Sequence, residues 1–188
     1  YLLFLLAVRD GAEQDDPALL LSIKRGDHKA FRKFFEKHHT YLYNFLLKKG
    51  ISEQQAEDLV QQAFVMIWEK REQIDEKKSL KAFLFRIAYT RMLNVFRDTS
   101  KFDTNADPAE EEGELSTDKD IQNQELSAAI EQSISSMPEK RQNVFRLCFI
   151  QEFTYKEAAQ VLDVSVKTIE NHMGLALKDL RGKLERFR

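Results

Sequence analysis

Cysteine, proline and glycine are scarce in this 188-residue sequence, at one, three and six residues. The single thiol, Cys148, forms no internal disulfide, so a cytosolic protein is the expectation. The four histidines (His28, His38, His39, His172) show no paired ligand spacing with one another or with Cys148, and no metal or cofactor is expected. His38 and His39, being adjacent, point to different sides of a helix and read as solvated or half-buried. So little glycine and proline leaves too few turn residues for a β-sandwich and favours helices. The longest wholly apolar run, Tyr1 to Val8, is far below the roughly 18 to 20 residues that span a bilayer, so no stable membrane insertion is expected. It also lacks the basic flank and small-residue cleavage site of a secretory signal. Tyr1 to Asp16 reads as an upstream extension of unknown role. Enzyme chemistry finds no carrier either: no nucleophile with a neighbouring base and no phosphate-cradling glycine loop occurs.

What is present is apolar content sufficient to fold, 43%, beside a charged fraction of 32%. The net charge of -2 conceals a partition. Residues 1–16 are acidic. Residues 17–101 hold seventeen bases against ten acids, residues 102–125 one base against nine acids, and residues 126–188 ten bases against eight acids. A basic block and a mildly basic block are thus separated by an acidic stretch containing Pro108, Gly113 and the run Glu110, Glu111, Glu112. The expected architecture is all-α: two small helical domains, 17–101 and 126–188, joined by an acidic flexible linker at 102–125.

In the first block, helices are expected near Pro17 to Lys24, Asp27 to Lys49, Ser52 to Arg71 and Ser79 to Arg97, broken at Gly26, Gly50 and the polar Glu72 to Lys78. Ser52 with Gln55 fits a capping box. Val60, Phe64, Ile67 and Trp68 recur at helical spacing as a buried stripe, with Trp68 read as a core residue. The opposite face exposes Asp58, Gln61 and Gln62. The fourth helix is apolar over most of its circumference, and only a narrow wedge carries Arg86, Thr90, Asn94, Arg97 and Lys101. Cations and amides aligned between aromatic flanks (Phe85, Tyr89, Phe96) suit a single nucleic-acid strand, whose phosphates take the cations and whose bases stack on rings.

Beyond the acidic stretch, helices are expected near Gln122 to Ser136, Glu139 to Gln151, Thr154 to Leu162 and Val166 to Leu184, with Pro138 opening the second of these and Thr154 with Glu157 forming a capping box. The last pair is a helix-turn-helix candidate: Ala159 permits the tight crossing, Asp163 reverses the chain in a left-handed conformation, and Ile169 is the buried aliphatic. In the final helix Ile169, Met173, Ala176 and Leu180 point inward. Lys167, Asn171, Gly174 and Lys178 form the outward line, with Arg181 and Glu170 at its edge. A mid-helix glycine costs about 1 kcal/mol relative to alanine. Its place on the outward line is explained if a major-groove wall approaches closely. Asn pairs bidentately with adenine, and Lys reaches guanine or phosphate.

Ala56-Glu57-Asp58-Leu59-Val60-Gln61-Gln62-Ala63-Phe64 with Trp68, then Lys81-Ala82-Phe83-Leu84-Phe85-Arg86-Ile87-Ala88, Met137-Pro138-Glu139-Lys140-Arg141 and Thr154-Tyr155-Lys156-Glu157-Ala158-Ala159, resemble the extracytoplasmic-function (Group IV) sigma factors of bacterial RNA polymerase. The resemblance runs from about Leu19 to Leu184. It implies a first domain that binds the polymerase clamp and melts and reads the minus-ten element, and a second that binds the flap and reads the minus-thirty-five element as duplex. Core RNA polymerase, promoter DNA and an anti-sigma factor are the implied partners. Asp58, Gln61 and Gln62 fall where the family contacts the clamp. Arg86, Thr90, Asn94 and Arg97 fall on its minus-ten helix, and Ser165 to Lys178, including Thr168, on its minus-thirty-five helix. The loop Gln73 to Ser79 falls where the family captures an unstacked base; Gln73 and Ser79 offer hydrogen bonds there, Lys77 and Lys78 phosphate contacts. The residues at 62, 90, 94 and 172 depart from types the family often has.

The runner-up reading comes from Ser165-Val166-Lys167-Thr168-Ile169-Glu170-Asn171-His172-Met173, which is similar to response-regulator output domains that bind duplex DNA only. A receiver domain would require alternating buried strands, and residues 17–101 offer no strand pattern. That reading ranks below the first.

Overall fold

The computed structural model describes residues 17–102 and 129–184. Its helices are α1 (Pro17–Lys24), α2 (His28–Leu47), α3 (Glu53–Glu69), a short 3-10 turn (Arg71–Gln73), α4 (Leu80–Phe102), α5 (129–135), α6 (Glu139–Phe145) running into a π turn (Arg146–Ile150), α7 (Tyr155–Leu162) and α8 (Val166–Leu184). They fall into two compact units, α1 to α4 in the first and α5, α6, α8 and α7 as far as Ala159 in the second. The architecture of the described residues is all-α, which the scarcity of glycine and proline favours. Among the described residues no helix is long and apolar enough to cross a membrane.

In the first unit each start and stop has a local cause. Gly26 and Gly50, at φ +85 and +79, take the left-handed conformation that a side chain resists, and the chain reverses there. Asp27 caps α2 by accepting from the backbone N–H groups of Lys29 (2.8 Å) and Ala30 (3.3 Å). Helices α2, α3 and α4 pack on one another around Phe34, Leu42, Leu46, Ile67, Leu84 and Phe85, all fully buried. Burying each such side chain contributes roughly 1.5 to 3 kcal/mol, which sets the angle at which α3 and α4 present their outer faces.

Several expectations need correction. Ser52 accepts from the Gln55 N–H at 3.4 Å, but the Gln55 side chain takes the Ser52 hydroxyl at 3.0 Å instead of the Ser52 backbone, so only half of that capping box forms. Trp68 is half-buried, not core: it lies at the rim of α3, with His28 at 4.5 Å, Phe31 at 5.0 Å and the Arg71 guanidinium 4.7 Å from its ring. His38 is buried against Phe34. Helix α4 extends to Phe102, five residues past the expected end.

In the second unit α6 and α8 pack together. Arg141 bonds Asp179 across that contact, and Arg146 bonds Glu131 on α5. The helix expected through Gln151 widens into a π turn after Phe145, closed by the Gln151 N–H donating to the Arg146 carbonyl at 3.0 Å. The wider turn lets the run Asn143 to Leu147 stay buried, and it aims Arg146 at Glu131 while Leu147 fills the core. The Thr154–Glu157 capping box forms in full. Residues 122–128, expected to begin the first helix of this unit, lie outside the described residues, as does the acidic stretch from Asp103.

Candidate nucleic-acid interface

Helix α4 exposes Arg86, Thr90, Asn94 and Arg97 together, because Leu80, Leu84, Ile87 and Ala88 commit the rest of its circumference to the core. Lys101 belongs to the same line in sequence, but its side chain lies outside those described. The aromatic flank is one-sided and graded: Phe85 is fully buried, Tyr89 half-buried, and Phe96 is 37% exposed beside exposed Leu93. Accessible ring surface therefore lies toward the end of the helix and not along its length.

Asp58, Gln61 and Gln62 are all exposed on α3. With Val65 and Arg91 they line an open groove at the α3–α4 seam. Arg91, which sequence reasoning missed, donates from Nη1 to Gln62 Oε1 at 2.6 Å. A second depression brings Asp58 and Gln62 together with Asn94, so that residue stands between the α3 patch and the α4 wedge.

The loop before α4 is held at several points. Ile74 is buried. The Asp75 carboxylate accepts from the Lys77 N–H at 3.0 Å, and the Asp75 carbonyl accepts from the Lys78 N–H at 3.0 Å. Ser79 accepts from the Ala82 N–H at 3.1 Å, starting α4. Gln73, Lys77 and Lys78 are exposed, but Lys78 Nζ turns back to within 3.8 Å of Asp75. Of the four expected contact residues, Gln73 and Lys77 keep side chains clear of the loop's own bonds, while Ser79 is occupied as a cap.

Helix-turn-helix geometry in the second unit follows the expected residues. Ala159 is buried, Asp163 stands at φ 54 and ψ 47, and Ile169 is fully buried. On α8, Met173, Ala176 and Leu180 are buried, while Lys167, Asn171, Gly174, Lys178 and Arg181 are exposed. A Cβ added at Gly174 meets nothing within 4 Å in the chain itself. Ser165 opens α8 by accepting from the Thr168 N–H at 3.1 Å and sharing a hydrogen bond with the Thr168 hydroxyl at 2.8 Å. Lys167 Nζ pairs with Glu170 at 3.2 Å on an exposed face.

Two family models match these two units: sigma-70 region 2 over residues 34–102, and sigma-70 region 4 over residues 127–180. The chain belongs to the extracytoplasmic-function sigma factors. It is similar to the RNA polymerase sigma factor NccH of Alcaligenes xylosoxydans xylosoxydans, 27% identical over 90% of this chain and 95% of that protein. The sigma factor CnrH of Cupriavidus metallidurans is 27% identical over 92% and 96%. The fold is that of the solved structure of CnrH in complex with the cytosolic domain of CnrY, at TM-score 0.63 and 24% identity over 91% of this chain and 97% of that one. This sigma factor is a non-catalytic protein that binds RNA polymerase and directs promoter recognition through its region 2 and region 4 segments. The response-regulator reading has no place for a region 2 match over residues 34–102.

Proposed function

We propose that the two tasks divide by unit and by face. Residues 17–101 act as one domain, 102–125 as an acidic linker and 126–188 as the second domain. In the first, Asp58, Gln61 and Gln62 on α3 meet the polymerase clamp, while Arg86, Thr90, Asn94 and Arg97 on α4, with Gln73, Lys77, Lys78 and Ser79 of the loop, engage the minus-ten element as a separated strand. In the second, Ser165, Lys167, Thr168, Asn171, Gly174, Lys178 and Arg181 engage the minus-thirty-five duplex while the domain meets the flap. The observation that carries this reading is the pair of neighbouring outer faces on α3 and α4: one amide-rich and lining a groove, the other basic with ring surface at its end. A cation line flanked by rings suits single-stranded DNA, and a groove that mixes amides and apolar side chains with both signs of charge suits a protein surface.

An anti-sigma factor is a further proposed partner. One solved relative is the sigma factor RpoE in complex with the anti-sigma factor NepR from Bartonella quintana. A polymerase-binding protein of this kind works in the cytoplasm, where its polymerase is. The test changes Asp58 and Gln61 together to Ala and, separately, Arg86 and Arg97 together to Ala. The first pair is expected to lose affinity for core polymerase in the absence of DNA. The second is expected to keep that affinity and lose promoter opening with a shallower salt dependence. Equal polymerase affinity for the Asp58/Gln61 variant and the native chain would refute the division.

A further inference from the structure

Helix α1 ends against the loop that precedes α4. Lys24, its last residue, places Nζ 2.8 Å from Glu76 Oε1, across 52 positions of sequence. The loop does not need this bond to hold its shape. Ile74 is buried, Asp75 and Ser79 bond backbone N–H groups, and Arg71 anchors the preceding turn by donating to the Trp68 carbonyl at 2.8 Å. Lys24 is 31% exposed and Glu76 48%, and an ion pair so open to water adds little to stability. Its effect is on charge.

The loop carries two acids, Asp75 and Glu76, and two bases, Lys77 and Lys78. Asp75 and Lys78 compensate each other at 3.8 Å. Glu76 is compensated from outside, by Lys24. Among the described residues no carboxylate pairs with Lys77, which leaves it as the loop's net charge. Without Lys24, Glu76 would stand open next to Lys77, far inside the screening length of about 10 Å at 0.1 M salt, and would oppose any phosphate that Lys77 attracts.

We propose that Lys24 is a positioning residue for promoter DNA, covering the Glu76 carboxylate so that the strand at this loop meets Lys77 and not an open acid. The inference rests on the reading of Gln73 to Ser79 as a DNA-facing loop. It adds to that reading a residue upstream of the segment, 34–102, that matches region 2.

The experiment is a double-mutant cycle in the full chain assembled with core polymerase, reading the rate of open-complex formation against salt. Lys24→Ala is expected to slow opening on the order of fivefold near 0.1 M salt, with the loss shrinking as salt rises. Lys24→Arg should restore the rate, and Lys24→Ala should cost nothing further in the Glu76→Gln background. Melting temperatures, expected to agree across the set, separate these effects from folding. Equal losses in both backgrounds would mean that Lys24 touches DNA itself, and an unchanged rate for Lys24→Ala would mean that the cover is idle; either overturns the inference. Lys77→Ala tests the underlying reading separately. If it leaves both rate and salt slope unchanged, the loop does not face DNA, whereas a Lys77→Ala loss beside a flat Lys24 cycle removes only the role of Lys24.

Discussion

Arg91 and Gln62 are bonded across the seam between α3 and α4, Nη1 to Oε1 at 2.6 Å. The bond puts a cation of the helix that carries the basic wedge into the wall of the groove formed by Asp58 and Gln61. Arg91→Ala should therefore weaken binding to core polymerase when no DNA is present, although its neighbours Thr90 and Asn94 are assigned to the promoter. A loss of roughly 0.5 to 1.5 kcal/mol is expected, the scale of one hydrogen bond. The check is a titration with core polymerase alone, and an effect seen only with promoter DNA would place Arg91 on the other face.

On α8, the proposed reading and positioning roles predict different losses. Asn171→Ala should cost about 1 to 3 kcal/mol and relax preference at one promoter position, whereas Lys178→Ala should weaken all sequences alike and reduce the salt slope by about one. A promoter library bound at two salt concentrations distinguishes them. Uniform loss for both mutants would deny Asn171 a base contact.

Gly174→Ala should move stability and binding in opposite directions. A methyl at this position meets nothing within 4 Å, and alanine is favoured over glycine in a helix interior by about 1 kcal/mol, so the melting temperature should rise. If Gly174 faces the groove wall as proposed, affinity for minus-thirty-five duplex should fall, because the methyl would stand in its way. A stabilised variant with native affinity would leave the glycine without that role.

The Arg146–Glu131 pair is asymmetric: the Arg146 side chain is 8% exposed and that of Glu131 51%. Glu131→Ala strands a buried guanidinium and should cost roughly 2 to 3 kcal/mol, while Arg146→Met leaves only a carboxylate that water can solvate and should cost less than 1 kcal/mol. Denaturant unfolding of the two variants gives the comparison. Equal losses would mean that the arginine is better solvated than its burial indicates.

The features legible in the sequence are those set by neighbours in sequence. The Thr154–Glu157 cap, the reversal at Asp163 and the buried stripe Ile169, Met173, Ala176, Leu180 each depend on residues a few positions apart, and local spacing carries them. The same logic exposed Asp58, Gln61 and Gln62 on one face of α3. What escaped depends on distant partners. Lys24 meets Glu76 and Arg91 meets Gln62 only after helices pack, and no periodicity within one helix pairs them. The π turn at Arg146 belongs to the same class, since an α-helical continuation reads equally well until Glu131 lies opposite. Trp68 matched the apolar stripe by spacing, yet it ended at the rim because α3 stops one residue later and Arg71 folds over the ring.

Whether this chain gives core RNA polymerase its promoter is decided by transcription from a genomic template library with purified core polymerase, with and without the chain, followed by mapping of transcript starts. The predicted result is a discrete set of starts present only when the chain is added, each downstream of a shared two-part element, and lost when Asp58 and Gln61 are both changed to Ala. Duplex binding by the chain alone, with no new transcript starts when polymerase is supplied, would contradict it.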